Sequence, residues 1–251
     1  MNGFYRFLTE LQEFTFFNID IFRGSLSFIK YRDDTLREMY LIGTKAFWVV
    51  VFGGLFVGII LATETGHSLE KFGATTIIGR TVLLGMIREL GPVITGLLLA
   101  ARTGAKNTSE LGSMSISEQI DALRAFGTDP IQRLVVPRTV AALVMFLPLT
   151  LIADVSGIIG GFFITTTVFH IDLSFSFNSA LKYLFLKDLL VGFIKPLFIA
   201  YSIASISCYF GLKTKLGTVE LGKNTINAVV LSSIAVLVID LIFTKVVWEV
   251  M

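Results

Sequence analysis

Five ionisable side chains stand inside stretches of sequence that are otherwise apolar. They are Arg88, Glu89, Asp154, Lys195 and Asp240. A charge within a bilayer is costly, so such residues usually face a water-filled cavity, a ligand or each other. Adjacent residues on a helix point about 100° apart, so Arg88 and Glu89 are predicted to have separate partners. Asp240 is the counter-charge that we predict for Lys195. Two interpretations stay open, a cavity lining and polar contacts that hold helices together.

A proline lies close to these charges in two places. Gly91 and Pro92 follow Glu89, and Pro196 follows Lys195 directly. A proline inside a helix removes a backbone hydrogen bond and permits a bend. We therefore predict a bend at Pro92 and count this residue with the five charged ones as the lining of a cavity.

The elements that must position these residues are membrane-spanning helices. The chain has 251 residues, of which 54% are hydrophobic and 16% charged, whereas soluble domains carry roughly 25% charged residues. A bilayer core needs about 20 mainly apolar residues per helix. Five segments meet this requirement, at about 41–63, 76–101, 139–167, 185–211 and 226–248. The sequence predicts an all-α membrane protein, and the net charge of +2 gives no reason to expect a nucleic-acid partner.

Residues 1–40 differ from the five-span domain that we assign to residues 41–251. Apolar residues recur in this first segment at helical spacing, at Phe4, Phe7, Leu8, Leu11 and Phe14. This pattern predicts an amphipathic helix lying in the membrane interface. A cytosolic helix that packs on a partner is the alternative.

The distribution of basic residues predicts the orientation. Thirteen Lys and Arg residues fall on the side of the N-terminus and five on the other side. Because basic residues are enriched in cytoplasmic loops, we expect a cytoplasmic N-terminus and a C-terminus outside.

The loop between the second and third predicted spans contains a short helix at about residues 115–127. Ser115 and Glu118 have the spacing of a capping box, and Gly127 is placed to end the helix. Its predicted apolar face comprises Ile116, Ile120, Leu123 and Phe126, and its polar ridge comprises Glu118, Asp121 and Arg124. Such a helix either docks into a partner's groove or packs on the membrane surface. Asp129 and Pro130 predict a second short helix that ends before Pro137.

Other motifs predict no chemistry on this chain. The stretch GTVELGKN resembles a phosphate-binding loop but lacks Ser or Thr after the Lys and a preceding strand. His67 and His170 have no Cys or His nearby, so we expect no metal site, and no catalytic group is indicated. Gly54 with Gly58 and Gly157 with Gly161 have the spacing of close helix contacts, which is weak evidence for a dimer.

One long stretch of the chain resembles a known family. RELGPVITGLLLAARTGAKNTSELGSMSISEQIDALRAFGTDPIQRLVVPR is similar to the signature region of the MlaE (YrbE) permeases, and KNTINAVVLSSIAVLVIDLIFT is similar to their last span. The similarity extends from about residue 40 onward. Glu110 matches an acidic position of the family's motif, Lys195 and Asp240 match polar positions of its later spans, and Asp154 matches less closely.

The resemblance implies a phospholipid transporter. Members of this family are the membrane subunits of ABC transporters that work with MCE proteins, in the inner membrane of bacteria. Two copies would pair around a lipid cavity, with an interfacial "elbow" helix at each N-terminus. ATP and Mg²⁺ would bind a separate cytosolic ATPase, which can carry a small STAS-domain subunit. An MCE-domain protein would sit on the periplasmic side.

The resemblance also implies roles for residues. The loop helix would be the coupling helix that receives the motion of the ATPase. The candidate coupling residues are Glu110, Ser115, Glu118, Ile120, Asp121, Leu123 and Arg124. For the mechanism, our own hypothesis is that Arg88 or Lys195 is available to a phosphate headgroup through a charge-assisted contact. The system would move phospholipid between the inner and outer membranes and maintain outer-membrane lipid asymmetry.

Two other functions remain open from the residues. Asp154, Lys195 and Asp240 would form a relay in an ion-coupled secondary transporter, although an odd number of spans does not fit an inverted repeat. The other function is a non-transporting membrane scaffold for a cytosolic partner.

Overall fold

The computed structural model describes the backbone of residues 3–215 and 217–250, with side chains for all of these except residues 4, 6, 7, 26, 27 and 247–250. The described residues form ten α-helices and no strand, which confirms the all-α class. The helices are α1 Gly3–Arg23, α2 Arg32–Glu70, α3 Ile78–Gly85, α4 Gly91–Leu99, α5 Ala105–Ile116, α6 Gln119–Ala125, α7 Val136–Thr167, α8 Leu173–Lys182, α9 Leu186–Lys213 and α10 Thr218–Val250.

Five helical segments of the described chain are long and apolar enough to cross a membrane. They are Arg32–Glu70, Thr75–Ile116, Ile131–Thr167, Leu186–Lys213 and Thr218–Val246. This confirms the five predicted spans. The helices extend beyond the apolar stretches, so their ends carry charged residues.

The second and third spans contain π turns, in which hydrogen bonds close from residue i to i+5. One π turn, Met86–Leu90, ends two residues before Pro92, and another, Ile131–Val135, ends two residues before Pro137. The proline ring would clash with the carbonyl four residues earlier in a regular helix. In both spans that carbonyl lies inside the π turn. The wider turn accommodates the proline without ending the helix.

This arrangement corrects one prediction and refines another. The second short helix expected to end before Pro137 is wrong, because Ile131–Val135 continues directly into α7. At Pro92 the regular helix is interrupted by the π turn, while the bend itself stays a prediction. A further π turn, Ala100–Gly104, joins α4 to α5.

The chain divides into two compact units. Unit 1 contains the described residues up to Ile42, with Ala100–Val144 and Tyr201–Ser233. Unit 2 contains Gly43–Leu99, Met145–Ala200 and the described residues from Ile234 onward.

Unit 1 has a core to which α1 contributes. Phe17 and Ile21 of α1 pack with Leu111, Val135 and Cys208. Cys208 is fully buried there and acts as a small apolar side chain. The C-terminal half of α1 is therefore fixed to the unit.

The N-terminal half of α1 presents a different surface. Leu8 and Leu11 of the predicted apolar stripe are exposed, whereas Phe14 packs against the core of unit 1. The side chains of Phe4 and Phe7 lie outside the described residues. The location of α1 in the membrane interface stays a prediction.

Unit 2 is built on close contact between α2 and α7. A Cβ at Gly58 would collide with the backbone of Gly157, and one at Gly54 would collide with the carbonyl of Ala153. A Cβ at Gly161 would press on Val82. The small-residue spacing therefore serves helix packing within the chain and is no evidence for a dimer.

The segment between the third and fourth spans forms α8, which the sequence did not predict. The Asp172 carboxylate caps its first turn by accepting a hydrogen bond from the Phe175 backbone N–H at 2.9 Å. Its buried residues Ser176 and Ala180 face the unit, and Ser176 lies against Gly79 of α3.

Candidate functional site

Unit 2 holds a buried ionic cluster centred on Lys195. The side chain of Lys195 has 0% exposure, and its ammonium lies 2.7 Å from Asp240 Oδ1 and 2.9 Å from Glu89 Oε2. The predicted pair of Lys195 and Asp240 is thus present in the structure, and Glu89 is a second counter-charge. The three residues come from α9, α10 and the π turn of the second span.

Pro92 explains another contact of Lys195. Since proline has no N–H, the Arg88 carbonyl four residues earlier lacks its usual helical donor. Lys195 Nζ donates to this carbonyl oxygen at 2.8 Å. The proline thus creates an acceptor for the buried ammonium inside the span.

Thr244 completes the cluster. Its hydroxyl lies 2.8 Å from Glu89 Oε1 and 2.9 Å from the carbonyl oxygen of Asp240, and it can donate its one proton to either of them. With Glu89, Asp240 and the Arg88 carbonyl as acceptors, all three N–H groups of Lys195 are matched. Contact between Lys195 and a phosphate would require one of these acceptors to be released.

The two carboxylates of the cluster are more accessible than the ammonium. The Glu89 side chain is 36% exposed and that of Asp240 is 21% exposed. Lys195 and the two carboxylates together carry one formal negative charge. Each of the three ionised groups would be costly to bury without the others. The exposed edge of the cluster is therefore acidic, and it is suited to a polar or cationic group.

Arg88 has its own partner, as predicted. Its Nε and Nη2 both lie 2.7 Å from Asp188 Oδ1, and Asp188 Oδ2 accepts from the Phe185 backbone N–H at 3.0 Å. Asp188 lies in the first turn of α9, so this ion pair ties that helix to the second span. The sequence analysis missed Asp188, because nothing in the local pattern distinguishes it from other charges at the end of a span.

Asp154 is buried on α7 and lies against Gly91. Within the described residues its Oδ1 has no hydrogen-bond partner, and no ion pair joins it to Lys195. Pro92 is buried in α4 next to Gly91. The structure brings Glu89, Lys195 and Asp240 together. Among the described residues, Asp154 has no hydrogen bond or ion pair with any of these three.

Unit 1 holds a second ionic cluster, at the ends of three spans. Lys106 Nζ lies 2.7 Å from Glu38 and 3.5 Å from Glu110, while Arg138 lies 3.0 Å from Glu110 and 3.5 Å from Glu38. Glu110, predicted as a coupling residue, is therefore held between two cations. The sequence analysis missed Glu38, Lys106 and Arg138 as members of a site.

The loop helix begins later than predicted. Ser115 belongs to the last turn of α5, and α6 starts at Gln119 after a break at Ser117 and Glu118. Glu118 has φ 57°, in the left-handed region, and its side chain makes no capping hydrogen bond. The predicted capping box is wrong because α5 continues through Ser115.

The end of the loop helix is confirmed. Gly127 has φ 71°, its N–H donates to the Arg124 carbonyl, and the Thr128 N–H donates to the Leu123 carbonyl, both at 2.9 Å. These two bonds form a Schellman motif, which needs glycine at its left-handed position.

The predicted faces of the loop helix are altered by the break. Ile116 belongs to α5, Ile120 is buried, and Phe126 is 85% exposed, so the four apolar residues form no single buried face. On the polar side, Arg124 and Asp121 form an exposed ion pair at 3.1 Å. The helix presents an exposed aromatic ring, which is available to a partner.

Comparison with known proteins gives consistent descriptions. The family described as Permease MlaE matches residues 35–246. A probable ABC transporter permease protein of Rickettsia typhi is 35% identical over 215 residues, which are 86% of this chain and 83% of that protein. The intermembrane phospholipid transport system permease protein MlaE of Haemophilus influenzae is 32% identical over 213 residues, 84% of this chain and 81% of that protein. The chloroplastic protein trigalactosyldiacylglycerol 1 of Arabidopsis thaliana is 31% identical over 212 residues, 84% of this chain and 61% of that protein.

Proposed function

The chain belongs to the MlaE permease family, and on that premise we propose that it moves phospholipid between the inner and outer membranes as the permease subunit of an ABC transporter. This activity would maintain the lipid asymmetry of the outer membrane. The observation that carries the proposal is a buried ionic cluster within the spans of a chain whose relative in Haemophilus influenzae is named for phospholipid transport. Ionisable residues inside spans are rare and commonly mark the pathway of a substrate or ion.

ATP and Mg²⁺ bind a separate cytosolic ATPase in this proposal. The stretch GTVELGKN lacks the Ser or Thr that coordinates Mg²⁺ in a phosphate-binding loop, and Thr218 onward is helical, with no preceding strand in the described chain. Relatives named as ABC transporter permeases support this division of labour. The other partners are a second copy of the chain, a periplasmic MCE-domain protein and a small STAS-domain subunit on the ATPase.

The helix α6 is the proposed coupling element, and Phe126 is its main anchor. The ring of Phe126 is exposed, and exposed aromatic residues are enriched at binding hot spots. Glu110, Ser115, Glu118, Ile120, Asp121, Leu123 and Arg124 remain the proposed coupling residues. Of these, Glu110 and Ile120 act through unit 1, because Glu110 is ion-paired and Ile120 is buried.

The proposed site for the lipid is lined by Arg88, Glu89, Pro92, Asp154, Lys195 and Asp240. Lys195 and Arg88 are engaged with carboxylates in this structure. A phosphate headgroup that competes for either cation would free a carboxylate, and an ethanolamine ammonium is a suitable partner for that carboxylate.

Reconstitution with defined partners tests this function. The chain, the ATPase and the MCE-domain protein would be placed in vesicles with a fluorescent phospholipid, and transfer to acceptor vesicles would be followed with and without ATP. We expect transfer that requires hydrolysable ATP and all three proteins. Transfer driven by an ion gradient without the ATPase would instead establish a secondary transporter.

Orientation is tested separately. We propose a cytoplasmic N-terminus and a periplasmic C-terminus in the bacterial inner membrane. A phosphatase reporter that is active only outside the cytoplasm should be active when fused to the C-terminus. Activity of the same reporter at the N-terminus would contradict the proposal.

A further inference from the structure

A groove of about 840 Å³ lies in unit 1 beside the second ionic cluster. Its walls come from the start of the first span, the end of the second, α6 and the start of the third. In a chain that crosses the membrane alternately, these three span ends lie on the same face. We call this space the span-end groove.

The walls of the span-end groove are apolar towards the spans. Leu41 lies where the first span becomes apolar, and Leu134 and Pro137 lie at the start of the third. Met114, Leu123 and Phe126 contribute from the loop side, so an ATPase docked on α6 and Phe126 would sit beside a molecule bound in the groove. A volume of 840 Å³ falls in the range of small-ligand pockets. It has room for a headgroup and the first part of acyl chains.

The rim of the groove carries two exposed guanidinium groups. Arg37 is exposed, and no hydrogen bond or ion pair joins it to another described residue. Arg133 is exposed as well, and its contact in the described chain is with the ring of Tyr31, at 5.7 Å from the centroid. Both cations are free to bind an anion.

The charge balance of the groove favours an anion. Glu38 and Glu110 are neutralised by Lys106 and Arg138. Asp34 is the remaining acidic side chain in the lining, against the two free guanidinium groups. The lining itself has three acidic and three basic side chains, and Lys106, which is paired with Glu38 behind the lining, brings the total to one net positive charge.

From this combination we propose that the span-end groove binds an anionic phospholipid of the membrane leaflet on that face. Arg37 and Arg133 bind the phosphate, and the apolar wall takes the upper part of the acyl chains. Basic pockets between spans at the membrane surface are typical sites for anionic headgroups. This lipid is a bound component of unit 1 and is separate from the transported one, so the proposal stands whether or not the chain transports phospholipid.

Native mass spectrometry of the full purified chain in an uncharged detergent tests the site. Phosphatidylglycerol would be added to the wild type, to the double variant Arg37→Gln/Arg133→Gln and to Arg23→Gln, an exposed arginine outside the groove. We expect the double variant to bind phosphatidylglycerol about tenfold more weakly, since two charge-assisted contacts are lost. The Arg23→Gln variant should bind it as the wild type does. Equal melting temperatures of the three proteins would confirm that folding is unchanged.

Two further ligands identify the occupant. Phosphatidylcholine, which has no net charge, and glycerol phosphate, which has no acyl chains, should each bind more weakly than phosphatidylglycerol. Binding of phosphatidylglycerol by the double variant within twofold of the wild type would overturn the proposal. It would also be overturned if the double variant kept its lipid but lost the ATPase, because the groove would then be a protein interface.

Discussion

The two units hold their ionic clusters in different surroundings. In unit 2 the Lys195 side chain is inside a span, fully buried, and each of its N–H groups has an acceptor. In unit 1 the Glu110 side chain is 43% exposed and lines an open groove at the span ends. The Lys195 ammonium is fully matched inside its span, whereas the cluster at the span ends leaves the Glu110 side chain accessible to lipids and proteins. We infer that the cluster of unit 1 is open to partners, whereas a headgroup that binds Lys195 in unit 2 must first displace one of its internal contacts.

The largest expected difference in stability is between a substitution of Lys195 in unit 2 and the same substitution of Lys106 in unit 1. Lys195→Met leaves the partly exposed Glu89 and Asp240 side by side without their cation, which should destabilise the chain by about 3 kcal/mol. Lys106→Met leaves Glu38 and Glu110 with Arg138 as a remaining cation, so its cost should be smaller, about 1–2 kcal/mol. Unfolding in detergent, followed by circular dichroism, would measure both. Similar losses for the two variants would remove the proposed distinction between the clusters.

The same cluster allows a compensation test. Lys195→Met combined with Glu89→Gln and Asp240→Asn removes all three charges and leaves no unpaired ion. We expect this triple variant to regain most of the stability lost in Lys195→Met, as measured in the same unfolding experiment. A triple variant that is less stable than the single one would show that the charges themselves hold unit 2 together.

Replacing glycine by alanine should have opposite effects on stability at Gly58 of unit 2 and at Gly222 of unit 1. Gly58→Ala places a methyl group against the Gly157 backbone in unit 2 and should cost about 2 kcal/mol through overpacking. At Gly222 of unit 1 nothing lies within 4 Å of a Cβ, so Gly222→Ala should stabilise its helix by about 0.5–1 kcal/mol. Melting temperatures should therefore move in opposite directions, and a decrease at both sites would be evidence against this difference in packing.

Within unit 1, two substitutions in and next to α6 should affect stability and partner binding separately. Ile120 is buried, so Ile120→Ala should destabilise the chain by about 2 kcal/mol. Phe126 is exposed, so Phe126→Ala should change stability by less than about 0.5 kcal/mol. The Phe126 variant should nevertheless weaken binding to the ATPase, measured by co-purification. Undiminished binding by this variant would rule out Phe126 as the anchor.

The smallest effect is expected at the break before α6. Glu118 has a left-handed backbone, so Glu118→Gly should relieve strain and stabilise the chain by up to about 1 kcal/mol. Gln119→Gly, one residue later and inside the helix, should destabilise it by a similar amount. Hydrogen exchange of the α6 amides would report both changes. Faster exchange in the Glu118 variant would show that the break needs the glutamate side chain.

The five spans could be predicted from the sequence, because an apolar stretch of about 20 residues has few possible structures other than a membrane-spanning helix. The pairing of Lys195 with Asp240 was also predictable, since two opposite charges in apolar spans need each other. Asp188, Lys106 and Arg138 could not be found in this way. They stand at span ends, where charges are common, and only the tertiary structure shows which of them meet.

The loop region shows where local signals conflict. Ser115 and Glu118 have the spacing of a capping box, but α5 extends through Ser115 and the chain breaks at Glu118 instead. Gly127 was predicted correctly because its left-handed backbone is a local requirement. The helix α8 was missed because ten residues of mixed polarity in a loop give little periodic signal.

The proposed passage of phospholipid along the charged interior of unit 2 can be tested with the triple variant Lys195→Met/Glu89→Gln/Asp240→Asn. In vesicles with the ATPase and the MCE-domain protein, ATP-dependent transfer of phospholipid would be compared with that of the wild type, at equal amounts of folded protein. We expect transfer to fall at least about tenfold while the ATPase still binds. Transfer at the wild-type rate would contradict the proposal and assign the cluster a purely structural role.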